Sequence, residues 1–397
     1  MASNWRLKSL SRLLSPIMTP FTSSFKRLSF LLSIAWTVLA QGNSLMNCSE
    51  AIIPIGVIAT VADFKLSPPK SQSELTGLVT RLASQNSNVT VEIGTSTYQL
   101  NKSYDIWSKL CVPVHFKRGT LEFAIHGINF DHSYWDFGGE GSQYNYVEAA
   151  VNAGHAIFIY DRLGTGQSSK PDGIKEAQKP TEVAIAAQLL KLLKQGIQGF
   201  VFDKVVAIGH SYGSSQVTGL AADYPSLVDA IVLTGFSAYS GGLSATFSAF
   251  GLTIAANQNR TRWGSLPSSY VVTEGMYNDE MNFFRYPFFE AGVLQHASDS
   301  KGLFTLGQIL TQAPSPTGPF NKPILVVTGD KDFIFCAGDC YQNTGKGSNL
   351  IDETKTLFPA GQYSYYIPAE TGHAVNLHFS AKESYEVIQK WMVQRQM

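Results

Sequence analysis

Several kinds of chemistry leave no mark on these 397 residues. No two histidines stand in a His-Glu-x-x-His or comparable zinc-binding arrangement, and no glycine-rich dinucleotide fingerprint occurs. Neither a metal nor an organic cofactor is therefore expected. Charge is scarce: Asp, Glu, Lys and Arg make up 15% of the chain, with 30 basic and 30 acidic residues. With no basic stripe and no nucleic-acid motif, a polyanionic partner is not expected. No internal repeat is found. The uncharged run Leu28–Ala40 is 13 residues long, short of the roughly 20 that span a bilayer.

That run nevertheless carries information. The first 40 residues hold Arg6, Lys8, Arg12, Lys26 and Arg27 and no acid; without them 25 basic and 30 acidic residues remain. A basic stretch, an apolar run and small residues at Val38 and Ala40 are the parts of an export signal. The long basic stretch keeps an uncleaved membrane anchor, residues 28–40, as the alternative, and membrane contact is expected only in that case. There are only four cysteines, Cys48, Cys111, Cys336 and Cys340. An even count in an exported chain suggests disulfides, with Cys336–Cys340 and Cys48–Cys111 as the favoured pairs and free buried thiols as the alternative. Asn47, Asn88, Asn101 and Asn259 each begin a glycosylation sequon. Together these features predict a secreted glycoprotein.

The most informative segment is Gly209-His-Ser-Tyr-Gly213, directly after the apolar run Lys204–Ile208. A strand that ends in a sharp turn before a helix needs small residues on both sides of the turn, and it exposes the central serine. A serine capping a helix in an ordinary strand–helix unit is the plainer reading. A serine hydroxyl is a weak nucleophile near neutral pH and needs a base, which in turn needs an orienting carboxylate. Both kinds of residue follow downstream. Lys322–Asp332 reads as an apolar strand ending in Gly329, Asp330 and Asp332, and Gly372-His373 follows a second strand at 363–368.

With Phe123-Ala-Ile-His126-Gly127 and Tyr160-Asp161-Arg162-Leu-Gly164-Thr-Gly166-Gln-Ser168, these segments resemble the α/β-hydrolase superfamily, in its cap-bearing serine-hydrolase branch. Fungal secreted or secondary-metabolite-pathway hydrolases are similar. The resemblance covers about residues 110–397. It implies an α/β fold, a mostly parallel sheet covered by helices on both faces, with an inserted cap. It implies Ser211 as nucleophile, His373 as base and Asp332, rather than Asp330, as orienting acid. The amides of Tyr212 and Ile128 are then the oxyanion donors. Asn129, His132 and Trp135, in the loop after His126-Gly127, are expected either to line the substrate pocket or to pack the loop. His126 reads as a turn-stabilising residue, His210 as pointing into the protein, and His378 as structural or at the cleft rim.

The expected organisation is a signal peptide at 1–40, an N-terminal extension at 41–88, a first core segment at 89–239, a cap at 240–320 and a second core segment at 321–397. Within the extension, Leu66–Ser73 reads as a surface loop. Strands are expected at 120–125, 155–160, 204–209, 229–234, 323–328 and 363–368, with antiparallel strands within 89–118. Val183, Ala187, Leu190 and Leu193 recur on one face of a helix at 181–195, and the last helix is expected near 381–395. Alternation of strands and helices argues a sheet covered on both faces.

The stretch 240–320 is rich in aromatics, including Phe247, Phe250, Trp263, Tyr270, Phe283 and Phe284. They form either an apolar roof over Ser211 or the core of the cap itself. An apolar roof implies a small-molecule substrate that is apolar or aromatic. The expected activity is hydrolysis of a carboxylic ester or related acyl compound through an acyl-enzyme. Secondary-metabolite tailoring (acyl transfer, lactonisation or ring opening) and a non-catalytic binding protein on the same scaffold are the alternatives.

Overall fold

A computed structural model describes residues 34–38, 45–84, 86–94 and 96–397. Most of the expected export segment, Ala40 included, lies outside the described residues, whereas Val38 is among them. Twelve strands occur among the described residues: β1 (Thr37–Val38), β2 (Met46–Ala62), β3 (Thr97–Pro113), β4 (Arg118–Ile125), β5 (Ala156–Tyr160), β6 (Val201–His210), β7 (Ala230–Thr234), β8 (Thr253–Ile254), β9 (Tyr270–Val272), β10 (Phe304–Thr305), β11 (Pro323–Val327) and β12 (Gln362–Tyr366).

Nine of them form one sheet in the order β1-β2-β3-β5-β4-β6-β7-β11-β12. From β5 onward, neighbours run parallel. The reason is visible along β6. Val205 and Ala207 enter the core on one face while Val206 and Ile208 enter the core on the other. A strand apolar on both faces has to be covered on both. The helices Lys179–Lys194 and Tyr212–Asp223 cover one face through Val183, Leu190, Val217 and Leu220. Tyr146–Asn152 and the final helix, Ala381–Gln394, cover the other through Val147, Val151, Ile388 and Trp391.

The N-terminal part differs from the expectation. The stretch read as an extension contains β2, a full member of the main sheet that pairs antiparallel with β3 along its whole length. The end of the segment expected as a loop starts a helix, Gln72–Ala83, capped by the Ser71 side chain on the Glu74 amide. Cys48 and Cys111 face each other in the β2–β3 register and are bonded, as are Cys336 and Cys340. Asn47, Asn88, Asn101 and Asn259 are all exposed. No described helix is long and apolar enough to cross a membrane.

Between β7 and β11 the chain forms the inserted cap. It contains the helices Leu243–Phe250, Met276–Phe283 and Ala291–Ser300 and a small antiparallel sheet in the order β10-β9-β8. Trp263, Tyr270, Phe283 and Phe284 are buried, whereas Tyr277 and Tyr286 are 78% and 71% exposed. Trp263 and Tyr270 belong to a small apolar cluster within the cap, whereas Phe247, Phe250, Phe283 and Phe284 join the core that also contains Ile128 and Ile208.

Candidate active site

Four loops meet at the carboxyl ends of the parallel strands. Ser211 lies between β6 and the helix Tyr212–Asp223, with φ 57° and ψ −119°. A non-glycine residue with positive φ carries strain that only its surroundings hold in place. The flanking glycines explain how the turn fits. A Cβ on Gly213 would sit 2.1 Å from the Ile125 carbonyl oxygen, and one on Gly209 would sit 2.4 Å from the Ser214 nitrogen. The Ser211 amide is anchored on the Thr234 carbonyl at 2.9 Å.

Asp332 follows β11 and is fully buried. One carboxylate oxygen accepts the Phe335 amide at 2.8 Å, capping the short helix Phe333–Cys336. The other meets His373 Nδ1 at 2.7 Å. A carboxylate held this way orients the imidazole and sets its tautomer, leaving Nε2 as the acceptor. His373 is likewise fully buried, and its Nε2 has no hydrogen-bond partner. Its ring stacks on Phe335 at 5.7 Å and lies 4.9 Å from the ring of His210, the residue preceding Ser211. No hydrogen bond joins His373 to Ser211 here; catalytic hydrogen bonds commonly tighten only with substrate bound. The rival acid Asp330 is turned elsewhere, accepting the Thr371 amide at 3.0 Å and pairing with Lys331.

The other histidines have separate duties. His126 places Nδ1 on the Gly127 carbonyl at 2.8 Å while Nε2 accepts the Arg162 amide at 3.1 Å. Burial, reinforced by the Arg162 charge, lowers its pKa well below the usual imidazole value. His210 stacks on Tyr134 at 4.2 Å, and burial, then the proximity of His373, lower its pKa well below the usual imidazole value. His378 accepts the amides of Arg285 and Gly372, so it is structural. Burial pushes it down to about 4.

The amides of Ile128 and Tyr212 donate no hydrogen bond among the described residues, which leaves both available to an anion. Both residues line a cavity of about 30 Å³ beside Ser211, with Phe247, Phe250 and Phe335 among the other walls. Thr246 also lines it and keeps a buried hydroxyl without a partner.

Asn129, His132 and Trp135 do not line this cavity. Asn129 adopts φ 64° and turns its side chain to Asp279 and Thr273 of the cap. His132 binds Asp161 at 2.7 Å and stacks on Trp107. Trp135 is fully buried against Tyr134 and Tyr146. Packing the loop, rather than lining the pocket, is what this stretch does.

One arrangement was not apparent from sequence. Arg162, fully buried, donates to Glu182 at 3.0 Å and to the Gly127 carbonyl at 3.2 Å. Glu182 also accepts the Tyr212 hydroxyl at 2.7 Å and the Gln308 amide at 3.0 Å. Burial raises the Glu182 pKa, partly offset by Arg162. Arg162 stood within the turn Asp161–Ser168, but the separation to Glu182 and Gly127 hid its partners.

Asp131, His132 and Asp161 gather their ligand atoms within 4.8 Å of one another. His132 Nδ1 is already engaged by Asp161, and Asp131 accepts the amide and hydroxyl of Ser133.

The comparisons with known proteins agree with this architecture. The sequence profile of the α/β-hydrolase fold matches residues 125–377. Protein ABHD8 of Homo sapiens is 30% identical over 111 residues, 28% of this chain and 22% of that protein. The chain thus matches only about a fifth of the length of its curated relatives. A carboxylesterase structure from Nitrososphaera gargenis superposes with a TM-score of 0.50 at 16% identity, covering 74% of this chain and 95% of that one. An esterase structure from Thermogutta terrifontis gives 0.49 at 15% identity over 74% and 95%. With the family profile matching residues 125–377, well over half of its length, this chain belongs to the α/β-hydrolase fold family.

Proposed function

We propose that the protein is a secreted serine hydrolase of carboxylic esters or related acyl compounds. The observation that carries this reading is the buried pair of Asp332 and His373, 2.7 Å apart, set beside a serine held at φ 57°. In the proposed reaction, His373 Nε2 takes the Ser211 proton as Oγ attacks the ester carbonyl. Asp332 stabilises the imidazolium that forms. The Ile128 and Tyr212 amides hold the oxyanion. His373 returns the proton to the leaving alcohol, and water then cleaves the acyl-enzyme by the same steps in reverse.

The walls of the cavity favour an apolar acyl or alkyl group, since Phe247, Phe250, Ile334 and Phe335 surround it. The Thr246 hydroxyl offers a single hydrogen bond to a polar atom there. Two disulfides and four exposed sequons support passage through an oxidising compartment. Turnover of p-nitrophenyl esters by the purified protein tests the reading. Ser211→Ala should lower kcat by several orders of magnitude, and a variant with nearly wild-type turnover would refute it.

A further inference from the structure

The cavity beside Ser211 holds about 30 Å³. That is room for a water or two, whereas substrate sites commonly run to several hundred Å³. A much larger space lies on the other side of one side chain. A groove of about 660 Å³ runs between the helices Gln72–Ala83 and Leu243–Phe250, and Phe247 lines both it and the Ser211 cavity. Phe247 is itself 7% exposed. It is the residue that the two linings share.

The groove is polar by composition, with Glu274 as the one charged residue of its lining, but most of its hydroxyls are already engaged within the protein. The hydroxyls of Thr80, Ser84 and Ser248 each donate to a backbone carbonyl, of Thr76, Thr80 and Ser244 respectively, and that of Thr253 lies between the Glu274 carboxylate and the Gly251 carbonyl. Asn278 donates to the Ala249 carbonyl. Groups already satisfied in this way ask nothing of a ligand, so their methyl and methylene surfaces can cover a carbon chain without leaving a donor stranded. Val79, Ala83 and Leu252 complete the wall. The two sides are also tied together. Gln72 donates to the Leu252 carbonyl at 2.8 Å and accepts the Ile254 amide at 3.0 Å. The helix Gln72–Ala83 precedes residues 125–377, the stretch that the family profile matches.

We propose that this groove receives the carbon chain of the substrate, with Phe247 as the gate through which the chain reaches Ser211. The substrate class is accordingly an ester with a long, unbranched aliphatic chain. The proposal rests on the reading of Ser211 as nucleophile, and its test keeps the two separable.

The first arm compares kcat/KM for p-nitrophenyl decanoate and p-nitrophenyl acetate on the full-length secreted protein. Thr76→Trp places a large ring in the groove from an exposed helix position. It should lower the decanoate-to-acetate ratio about tenfold, what two methylenes losing their contacts would cost. Phe247→Ala should raise that ratio. The second arm titrates dansyl-labelled undecanoate into the Ser211→Ala protein, where no chemistry is needed. Binding that Thr76→Trp weakens supports the groove, even if no ester is turned over and the nucleophile reading fails. A ratio unchanged in Thr76→Trp, or undecanoate binding indifferent to it, overturns the groove while leaving Ser211 untouched.

Discussion

Arg162 Nη2 donates to the carbonyl oxygen of Gly127 at 3.2 Å. That carbonyl belongs to the same peptide unit as the Ile128 amide, and in a trans peptide the two groups point in opposite directions. Holding the oxygen therefore aims the N–H. The His126 contact on the same oxygen strengthens the hold. The other proposed oxyanion donor is tied in through the Tyr212 side chain on Glu182. One buried ion pair thus braces both donors.

Removing the guanidinium should cost activity and stability separately. Arg162→Met leaves Glu182 buried without its cation, which should destabilise the fold by about 3–5 kcal/mol. The double variant Arg162→Met/Glu182→Gln should recover much of that in urea unfolding. It should not recover kcat, expected to remain at least about tenfold low, since losing an oxyanion donor outright costs more still. Full recovery of both would mean that the pair serves folding alone.

Asp332→Asn separates orientation from capping. The remaining carbonyl oxygen can still accept the Phe335 amide, so the short helix it caps should persist. Its amide nitrogen, facing His373 Nδ1, favours the wrong tautomer. We expect kcat to fall by about four orders of magnitude with little change in melting temperature, read by steady-state kinetics beside a thermal melt.

His132 gives the pH dependence of stability. Burial opposes its charged form, but the hydrogen bond and charge of Asp161, with Asp131 and Asp136 nearby, raise it to about 9. A raised histidine stabilises the fold fully below its ordinary value of about 6.5, and that contribution disappears as pH climbs through the folded value. Burial lowers Lys179 to about 8, an opposite trend at the alkaline end. The comparison with His132→Gln isolates the histidine. Wild type should lose its advantage over the variant between about pH 6.5 and 9, as followed by melting temperature.

The segments legible in sequence were those whose pattern is local. The β-branched run before Gly209 marked β6, and the glycines around Ser211 marked its turn. The helix Lys179–Lys194 carried its apolar face in its own spacing. β2 was hidden because Pro54 and Gly56 interrupt its pattern, and its partner β3 begins 35 residues after it ends. The strands of the cap sheet are two or three residues long, too short for any period to show. For Trp135 and His132 the sequence left pocket lining and loop packing open, because side-chain direction in a loop is set by the backbone angles, which the sequence does not show. Arg162 and Glu182 became partners only through the fold.

The disulfide between Cys48 and Cys111 closes a separation of 63 residues. Loop entropy of that size corresponds to about 4 kcal/mol. The double variant Cys48→Ser/Cys111→Ser should lose roughly 2–4 kcal/mol in urea unfolding, with Ser211-dependent turnover retained below the new midpoint.

The central claim is that Ser211 is the nucleophile, and covalent labelling addresses it most directly. The folded protein, treated with a fluorophosphonate and digested, should carry one adduct, on the peptide containing Ser211. Ser211→Ala should abolish both adduct and turnover. A folded protein that takes no label, or a Ser211→Ala variant that keeps more than about a tenth of wild-type activity, would contradict the account.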